Sequence, residues 1–388
     1  MEDSVDWFED YAEEADDNQI DEYDVTATPN DFNVLTLFSF IESGAVKIPG
    51  FQRNFVWDKQ RSSKLIESLI LGIPVPQLFL YEQARNKFLV IDGQQRLMSI
   101  YYFVKRRFPK KEKRGELRAI FDEHGGIPDN VLYSDDYFED FNLRLSGSLP
   151  NQRNKFDGTN YATMGEYKTQ LDLRPIRNIV VKQNGPGDDD SAIYEVFNRL
   201  NTGGVNLRPQ EIRTSMYHSS FYDMLYKVNR EPRWRELLQS PQPDLHMKDI
   251  EILLRAFAML IQSAEYAPSM VRFLNRFSKM CENQSAEQNH YLERLFQSFL
   301  RSTHELPDDV FVNVGNGRFN IALFEATFTA TLEGAFQARR VAEGNIDGDE
   351  ISNLSKDKKF LMAAIEGTTR TANVLLRLDR ARHHLTSL

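Results

Sequence analysis

The run Asp92-Gly93-Gln94-Gln95-Arg96 carries four polar side chains suited to binding a phosphate or a metal ion. The arginine can donate two parallel hydrogen bonds to a phosphate. Either glutamine can orient a water for attack, because an amide both donates and accepts. The Asp92 carboxylate can bind Mg²⁺ together with substrate phosphates, or it can cap a helix. The candidate catalytic residues are therefore Asp92, Gln94, Gln95 and Arg96, with Asp92 also the candidate metal ligand.

The surrounding pattern predicts the elements that would position these side chains. Phe88–Ile91 is a short apolar run typical of a buried strand, and Asp92-Gly93 is typical of a tight turn. Apolar residues then recur at helical spacing to about Val104. A strand, a glycine turn and a helix direct backbone N–H groups and the positive end of a helix dipole at an anion. An ordinary strand-to-helix connection is the structural alternative.

A second polar corner is predicted where one helix ends and another begins. A helix after the acidic residues 188–190 is expected to end at Asn201-Thr202-Gly203-Gly204. The next helix is expected to begin near Pro209. This corner offers backbone N–H groups, an amide and a hydroxyl to a ligand, whereas a glycine helix cap is the structural interpretation.

The remaining elements of the N-terminal half are predicted from capping and turn signals. Asp58 is expected to cap a helix over Lys59–Leu71, which Gly72 ends. A short helix, a hairpin and a later strand complete the prediction, over 33–43, 77–91 and 174–182 respectively.

Residues Lys105–Arg114 form a basic run, with seven basic residues against one acid. A solvated surface is one interpretation, and contact with a nucleic-acid backbone, which would weaken steeply with salt, is the other. The candidate nucleic-acid residues are Lys105, Arg106, Arg107, Lys110 and Lys111.

The chain of 388 residues is long enough for two domains, each with its own core. Residues 1–28 hold 12 of the 57 acidic residues and no basic residue, so the remainder, with 45 acidic and 47 basic residues, is nearly neutral. We predict an acidic, disordered tail over 1–28, a solubiliser or a segment that docks on a basic surface. An α+β domain over 29–217, with an irregular insertion at about 105–173, and an all-α domain over 218–388 are expected to follow.

Composition also excludes several classes of protein. A single cysteine, Cys281, rules out an internal disulfide and suits a reducing cytoplasm. No apolar run is long enough for a membrane helix, and the acidic start is not typical of a signal peptide. The sequence contains no Walker loop, no HExxH motif, no GxSxG elbow and no kinase signature.

Several motifs in order resemble a known family. Residues 49–57 read PGFQRNFVW, residues 72–76 read GIPVP, and residues 92–96 read DGQQR. Residues 197–204 read FNRLNTGG, with Glu211 following. Together they resemble the N-terminal domain of GmrSD-type restriction endonucleases, a domain also found in the phosphorothioate-sensing defence protein SspE. The helical remainder resembles the C-terminal part of stand-alone members.

The resemblance implies a ParB/sulfiredoxin-like fold in which a strand–glycine–helix turn with an arginine holds nucleotide phosphates. It places Asp92–Arg96 at the phosphate or metal site and Gln52 and Arg53 in the same pocket. Gly93 and the second motif (Asn198, Asn201, Thr202 and Gly203) are the further expected nucleotide-binding residues. The implied ligands are a nucleoside triphosphate (GTP, ATP or CTP) and Mg²⁺.

The expected function is NTP-dependent regulation, including NTP hydrolysis, of DNA cleavage in a prokaryotic anti-phage defence or restriction system. The partner is expected to be a separate nuclease, because no HNH motif is recognisable in this chain. A DNA-binding or nicking module that uses the same motif is one alternative, and a non-catalytic assembly subunit is the other. Self-association is left open by the sequence.

Overall fold

The computed structural model describes residues 7–9, 25–48, 55–117, 120, 127–147, 153–184, 196, 208–244, 246–365 and 367–388. The chain divides into two compact units. One unit spans residues 23–216, and the other contains 217–388 together with the N-terminal segment. The division lies beside the boundary expected at 217/218. The fold class is a mixed α/β N-terminal part followed by a helical C-terminal part, as predicted.

The N-terminal unit is built on a mixed five-stranded sheet. Its strands are β2 Val25–Asn33, β3 Val46–Lys47, β4 Leu78–Ala84, β5 Lys87–Asp92 and β8 Pro175–Gln183. Their order in the sheet is β2-β8-β4-β5-β3. Strands β4 and β5 form an antiparallel hairpin, and β8 pairs in parallel with β4. The edge strand β2 runs antiparallel to β8, and the other edge strand, β3, runs parallel to β5.

Three helices pack with this sheet, and their ends are fixed by the predicted local signals. They are α1 Val34–Glu42, α2 Lys59–Leu71 and α3 Gln94–Lys105. The Asp58 side chain accepts a hydrogen bond from the backbone N–H of Arg61, which caps α2. Gly72 ends α2 in the left-handed conformation at φ +77°. The predicted bounds of α2 are confirmed.

The segment predicted as an irregular insertion, 105–173, has little regular structure but belongs to the core. Its regular elements are short: β6 Arg107–Pro109, β7 Phe138–Asp140, α4 Asp129–Leu132, α5 Tyr167–Asp172 and one 3₁₀ turn. Phe141 packs edge-to-face on Phe103 of α3, with ring centroids 5.3 Å apart. The segment also contributes other buried side chains to the same core, namely Phe138, Leu143, Leu145, Phe156 and Met164. It is therefore an integral part of the domain rather than an appended insertion.

The prediction of disorder throughout 1–28 is wrong for the residues of this range that the structure describes. Val25–Thr28 pair with residues 180–183 in the ladder between β2 and β8. Phe8–Glu9 form a second short strand, β1, in the other unit. Backbone pairing with distant strands supplies hydrogen bonds that the polar composition does not reveal. The rest of the predicted tail lies outside the described residues.

The C-terminal unit is helical, as predicted. Helix α6, Pro209–Met216, is the last element of the N-terminal unit. The described helices of the C-terminal unit are α7 Ser220–Val228, α8 Pro232–Leu237, α9 Lys248–Gln262, α10 Met270–Cys281, α11 Ala286–Ser302, α12 Ile321–Gln337, α13 Gly348–Lys356, α14 Lys358–Ile365 and α15 Thr371–His384. The apolar periodicity of the sequence predicts one helix over 358–385, and this prediction is wrong, because the structure divides the segment into α14 and α15. Gly367 lies between them with φ +55°, a left-handed conformation that interrupts a right-handed helix. Among the described helices, none is both long and apolar enough to cross a membrane.

Candidate functional site

The predicted strand–turn–helix is present at residues 87–105. Strand β5 ends at Asp92, and helix α3 begins at Gln94. Gly93 between them has φ +100°, and as the N-cap residue it offers no side chain to the first helical turn. The first turn of α3 is therefore not capped by a side chain, which is the arrangement that an anion can complement.

Gly93 is required by the packing around it as well as by its backbone conformation. A Cβ atom at this position would lie 2.2 Å from Cδ2 of the buried Leu78 and 3.1 Å from Nη2 of Arg96. Any side chain would therefore push apart the strand β4 residue and the arginine. The glycine lets the turn lie directly against both.

Arg96 is held at the turn by two hydrogen bonds from one nitrogen. Its Nη2 atom donates to the Asp92 carboxylate at 2.9 Å and to the Gln77 carbonyl at 3.0 Å. Its Nε–H is buried and has no hydrogen-bond partner among the described residues. The Arg96 side chain is 15% exposed and that of Asp92 is 40% exposed. The guanidinium is thus fixed in place and keeps donor capacity for a ligand.

Asp92 pairs with Arg96 and does not cap α3, so the capping alternative is not what the structure shows. One of its oxygens is occupied by the arginine, and the carboxylate is partly exposed. Within the described ranges, no group of three or more His, Cys, Asp or Glu side chains is arranged to hold a metal. A magnesium ion at Asp92 would therefore need most of its remaining ligands from phosphate and water, as this ion commonly does.

Gln95 connects the turn to the end of the motif at residues 49–57. Its Oε1 atom accepts hydrogen bonds from the backbone N–H groups of Val56, at 3.0 Å, and Trp57, at 3.2 Å. This amide oxygen therefore positions the segment that precedes α2. Gln94 is the half-buried first residue of α3, and the water-orienting role stays a prediction for either glutamine.

Sequence reasoning missed the support on the other side of that segment. Arg114 donates from Nη2 to the Trp57 carbonyl at 2.9 Å, and its guanidinium lies 5.2 Å from the ring centre of Phe55. The Arg61 guanidinium lies 4.6 Å from the centre of the Trp57 ring. The sequence did offer a signal for these contacts. Phe55 and Trp57 lie shortly before Arg61, and arginine stacks on aromatic faces.

Two predicted groups of site residues lie outside the described residues. They are Gln52 and Arg53 of the first motif, and Asn198, Asn201, Thr202 and Gly203 of the second. Their convergence on the Asp92–Arg96 turn stays a prediction. Beyond the second motif, α6 begins with the Glu211 carboxylate accepting the backbone N–H of Arg208 at 2.8 Å.

The basic run is largely engaged within the fold. Arg107 is buried and bonds the carboxylates of Asp135 and Asp140 and three backbone carbonyls. Lys105 pairs with Glu42 at 2.7 Å, and the Lys110 ammonium donates to the Asp135 carbonyl. Arg107 is thus not accessible to a phosphate, which corrects its assignment as a nucleic-acid contact. Of the five candidates, Arg106 and Lys111 are the exposed ones.

Comparison with known proteins bears on the N-terminal unit. Residues 34–218 match the family described as the GmrSD restriction endonuclease, N-terminal domain. An uncharacterized protein of Methanocaldococcus jannaschii is 22% identical over 239 residues, a match that covers 48% of this chain and 41% of that relative. The matched region is thus less than half of the relative's length. No solved structure matches the chain, so the ParB/sulfiredoxin-like assignment stays a prediction.

Proposed function

We propose, from the match of residues 34–218 to the GmrSD restriction endonuclease N-terminal domain, that the chain is a nucleotide-dependent regulator in a restriction or defence system. It binds a nucleoside triphosphate with Mg²⁺ at the Asp92–Arg96 turn, hydrolyses it, and controls DNA cleavage by a partner nuclease. The family supports the restriction-related setting, and the geometry of the turn supports the nucleotide.

The observation that carries the proposal is the state of Arg96. Its guanidinium is fixed beside an uncapped helix start and a partly exposed carboxylate, yet its buried Nε–H lacks a partner among the described residues. A buried donor without an acceptor costs about 1–3 kcal/mol. A phosphate oxygen is a suitable acceptor, because charge-assisted bonds from arginine to phosphate are strong and directional.

The residues at the turn fit such a ligand in complementary ways. Arg96 would hold phosphate oxygens, and the backbone at the start of α3 would add N–H groups and the helix dipole. Asp92 would hold a magnesium ion, which neutralises phosphate charge when bound. Gln94 would orient the attacking water, because its amide can accept from the water and donate to a phosphate oxygen.

The test is nucleotide binding and turnover by the full chain. Binding of GTP, ATP, CTP and UTP is measured with and without Mg²⁺, and phosphate release is followed for each nucleotide. We expect Arg96→Ala to weaken binding at least tenfold, and Arg96→Lys to recover part of it, because lysine keeps the charge without the paired donors. Asp92→Asn should reduce magnesium-dependent turnover more than it reduces binding.

Arg153→Ala is the matched control, since this arginine belongs to the same unit and its side chain is highly exposed. It should leave binding and turnover unchanged, and thermal unfolding of each variant verifies that the fold is kept. Absence of binding for every nucleotide would contradict the proposal and favour an assembly subunit. Cleavage of DNA without nucleotide, abolished by Asp92→Asn, would instead favour a nicking module.

A further inference from the structure

A short segment near the N-terminus of the chain, residues 7–9, is bound by the helical unit. Strand β1, Phe8–Glu9, runs parallel to a two-residue strand β9, Phe319–Asn320. The backbone N–H of Phe319 donates to the carbonyl of Trp7 at 3.0 Å. An extended segment added to the edge of a strand is a recurrent mode of peptide recognition.

Each of the two aromatic side chains of this segment makes a specific polar contact with the helical unit. The Trp7 indole N–H donates to the Asp244 carboxylate at 3.2 Å, and its ring lies 6.3 Å from that of Phe319. Phe8 is only 8% exposed, and the Lys248 ammonium lies 4.8 Å from the centre of its ring. An acceptor for the indole and a cation for the phenyl ring give side-chain specificity beyond the backbone pairing.

The polar groups beneath the segment form a connected network. The backbone N–H of Asp244 donates to the buried Asp249 carboxylate at 2.9 Å, and the same oxygen accepts from Arg235 at 2.8 Å. Arg235 is 8% exposed, and its buried Nε and Nη2 atoms have no hydrogen-bond partner among the described residues. The network thus links Asp244, the acceptor for the Trp7 indole, to the buried pair of Asp249 and Arg235.

We propose that this surface of the helical unit, defined by Asp244, Lys248 and Phe319, is a recognition site for an extended Trp-Phe peptide, and that its resident ligand is the chain's own residues 7–9. One buried ring and few hydrogen bonds must offset the ordering of three residues, so the docking is weak by itself. It depends on the high effective concentration that the covalent connection provides.

Residues 10–24, which follow this segment in the sequence, contain eight acids and no basic residue. The inference does not depend on the proposed nucleotide site.

The test uses the full chain with the resident segment disabled. In a Trp7→Ala/Phe8→Ala double variant, a synthetic peptide of residues 1–16 labelled at its C-terminus is titrated by fluorescence anisotropy. We expect saturable binding that is at least tenfold tighter than to the unaltered chain, where the site is occupied. The same peptide with both aromatics replaced by alanine should not bind, and Asp244→Asn in the double variant should weaken binding several-fold.

A second measurement covers the case in which the double variant folds poorly. A protease site inserted within residues 10–24 of the full chain is cut, and the products are separated by gel filtration after dilution. Release of the fragment from a folded remainder supports the proposal, and retention of the fragment shows an integral core element and overturns it. Peptide that fails to bind the folded double variant overturns it as well. Sedimentation that shows a Trp7-dependent dimer assigns the occupant to a second copy and overturns docking within one chain.

Discussion

Gly93 shows how a single residue controls the candidate site. At φ +100° an L side chain is strained, and here the space for a Cβ atom is also filled by Leu78. The sequence predicts a turn glycine from the Asp-Gly pair, but the contact with Leu78 depends on the neighbouring strand. The type of residue is therefore predictable, whereas the reason that alanine is excluded is visible only in three dimensions.

We expect Gly93→Ala to lower the free energy of unfolding of the N-terminal unit by about 3 kcal/mol, which combines left-handed strain with overpacking. Gly44→Ala is the matched control, because Gly44 has φ +71° and no neighbouring atom within 4 Å of the place that a Cβ would take. Its cost should be about 1 kcal/mol, from strain alone. Chemical denaturation of both variants gives the two values. Equal costs would show that the Leu78 contact does not constrain the turn.

Gln95 illustrates the limit of reasoning from side-chain chemistry. An amide next to a phosphate-binding turn is suited to orienting water, and the sequence predicts this role for either glutamine. In the structure, the Gln95 oxygen accepts from two backbone N–H groups about 39 positions earlier in the chain. These two N–H groups precede helix α2 and take their acceptor from a distant residue. Nothing local in the sequence indicates which residue supplies that acceptor.

At the scale of elements, locally encoded features are predicted well. The bounds of α2 follow from its Asp58 cap and its Gly72 end, and the β4–β5 hairpin follows from two short apolar runs on either side of a polar turn. Long-range pairings are not predicted. Strand β2 pairs with β8 about 150 residues later, and β1 pairs with β9 across more than 300 residues. Such partners are chosen by tertiary packing, which leaves little trace in composition.

The basic run shows the same limit for charge. Its density of cations suggests a phosphate surface, but Arg107 is the first residue of β6, and its guanidinium donates to backbone carbonyls of residues 132–138. Arginine serves this role because its five N–H groups can bond several acceptors at once. A charge count therefore overstates the cations that this segment presents to a ligand.

Arg107→Met should destabilise the N-terminal unit by about 2–3 kcal/mol, because the carbonyls of Leu132, Ser134 and Phe138 would lose their donor in a buried place. Lys111→Met, in the same run but exposed, should change stability by less than about 0.5 kcal/mol. Urea denaturation measures both changes, provided that the slope of unfolding free energy against urea concentration is the same for each variant as for the unaltered chain. If Arg107→Met loses as little stability as Lys111→Met, the buried hydrogen bonds of Arg107 do not stabilise the unit and the prediction is contradicted.

At the scale of the whole molecule, each unit has its own core. The N-terminal core joins the sheet to α1, α2, α3 and the 105–173 segment, whereas the helical unit has a cluster of aromatic rings in tilted and edge-to-face contact around Phe324 and Trp234. The apolar periodicity of the C-terminal half predicts its helices because that signal is local and repeated. The docking of Trp7 and Phe8 in this unit could not be predicted, since two aromatics among acids resemble a disordered tail.

The Asp357 carboxylate links the last two helices of the helical unit, α14 and α15. Asp357 accepts from the backbone N–H of Phe360 at 2.9 Å, which caps α14, and from Arg380 of α15 at 2.8 Å. It also contacts Nε2 of His384 at 3.1 Å. The hydrogen bonds from Arg380, Phe360 and His384 hold the pKa of Asp357 well below its usual range. The ionised form of this residue therefore stabilises the pairing of α14 with α15.

We expect Asp357→Asn to lower the stability of the helical unit by about 1–2 kcal/mol at pH 7, from the loss of a charged cap and ion pair. Because the folded pKa is depressed, the advantage of the native carboxylate is fully present above about pH 4 and is lost as the pH falls toward the folded value. The difference in melting temperature between the two proteins, measured by calorimetry, should be present at pH 5 and shrink below about pH 4. Asp379→Asn, an exposed change on the same helix as Arg380, should show no such trend. A difference for Asp357→Asn that persists unchanged to pH 2.5 would mean that Asp357 acts through packing and not through its charge.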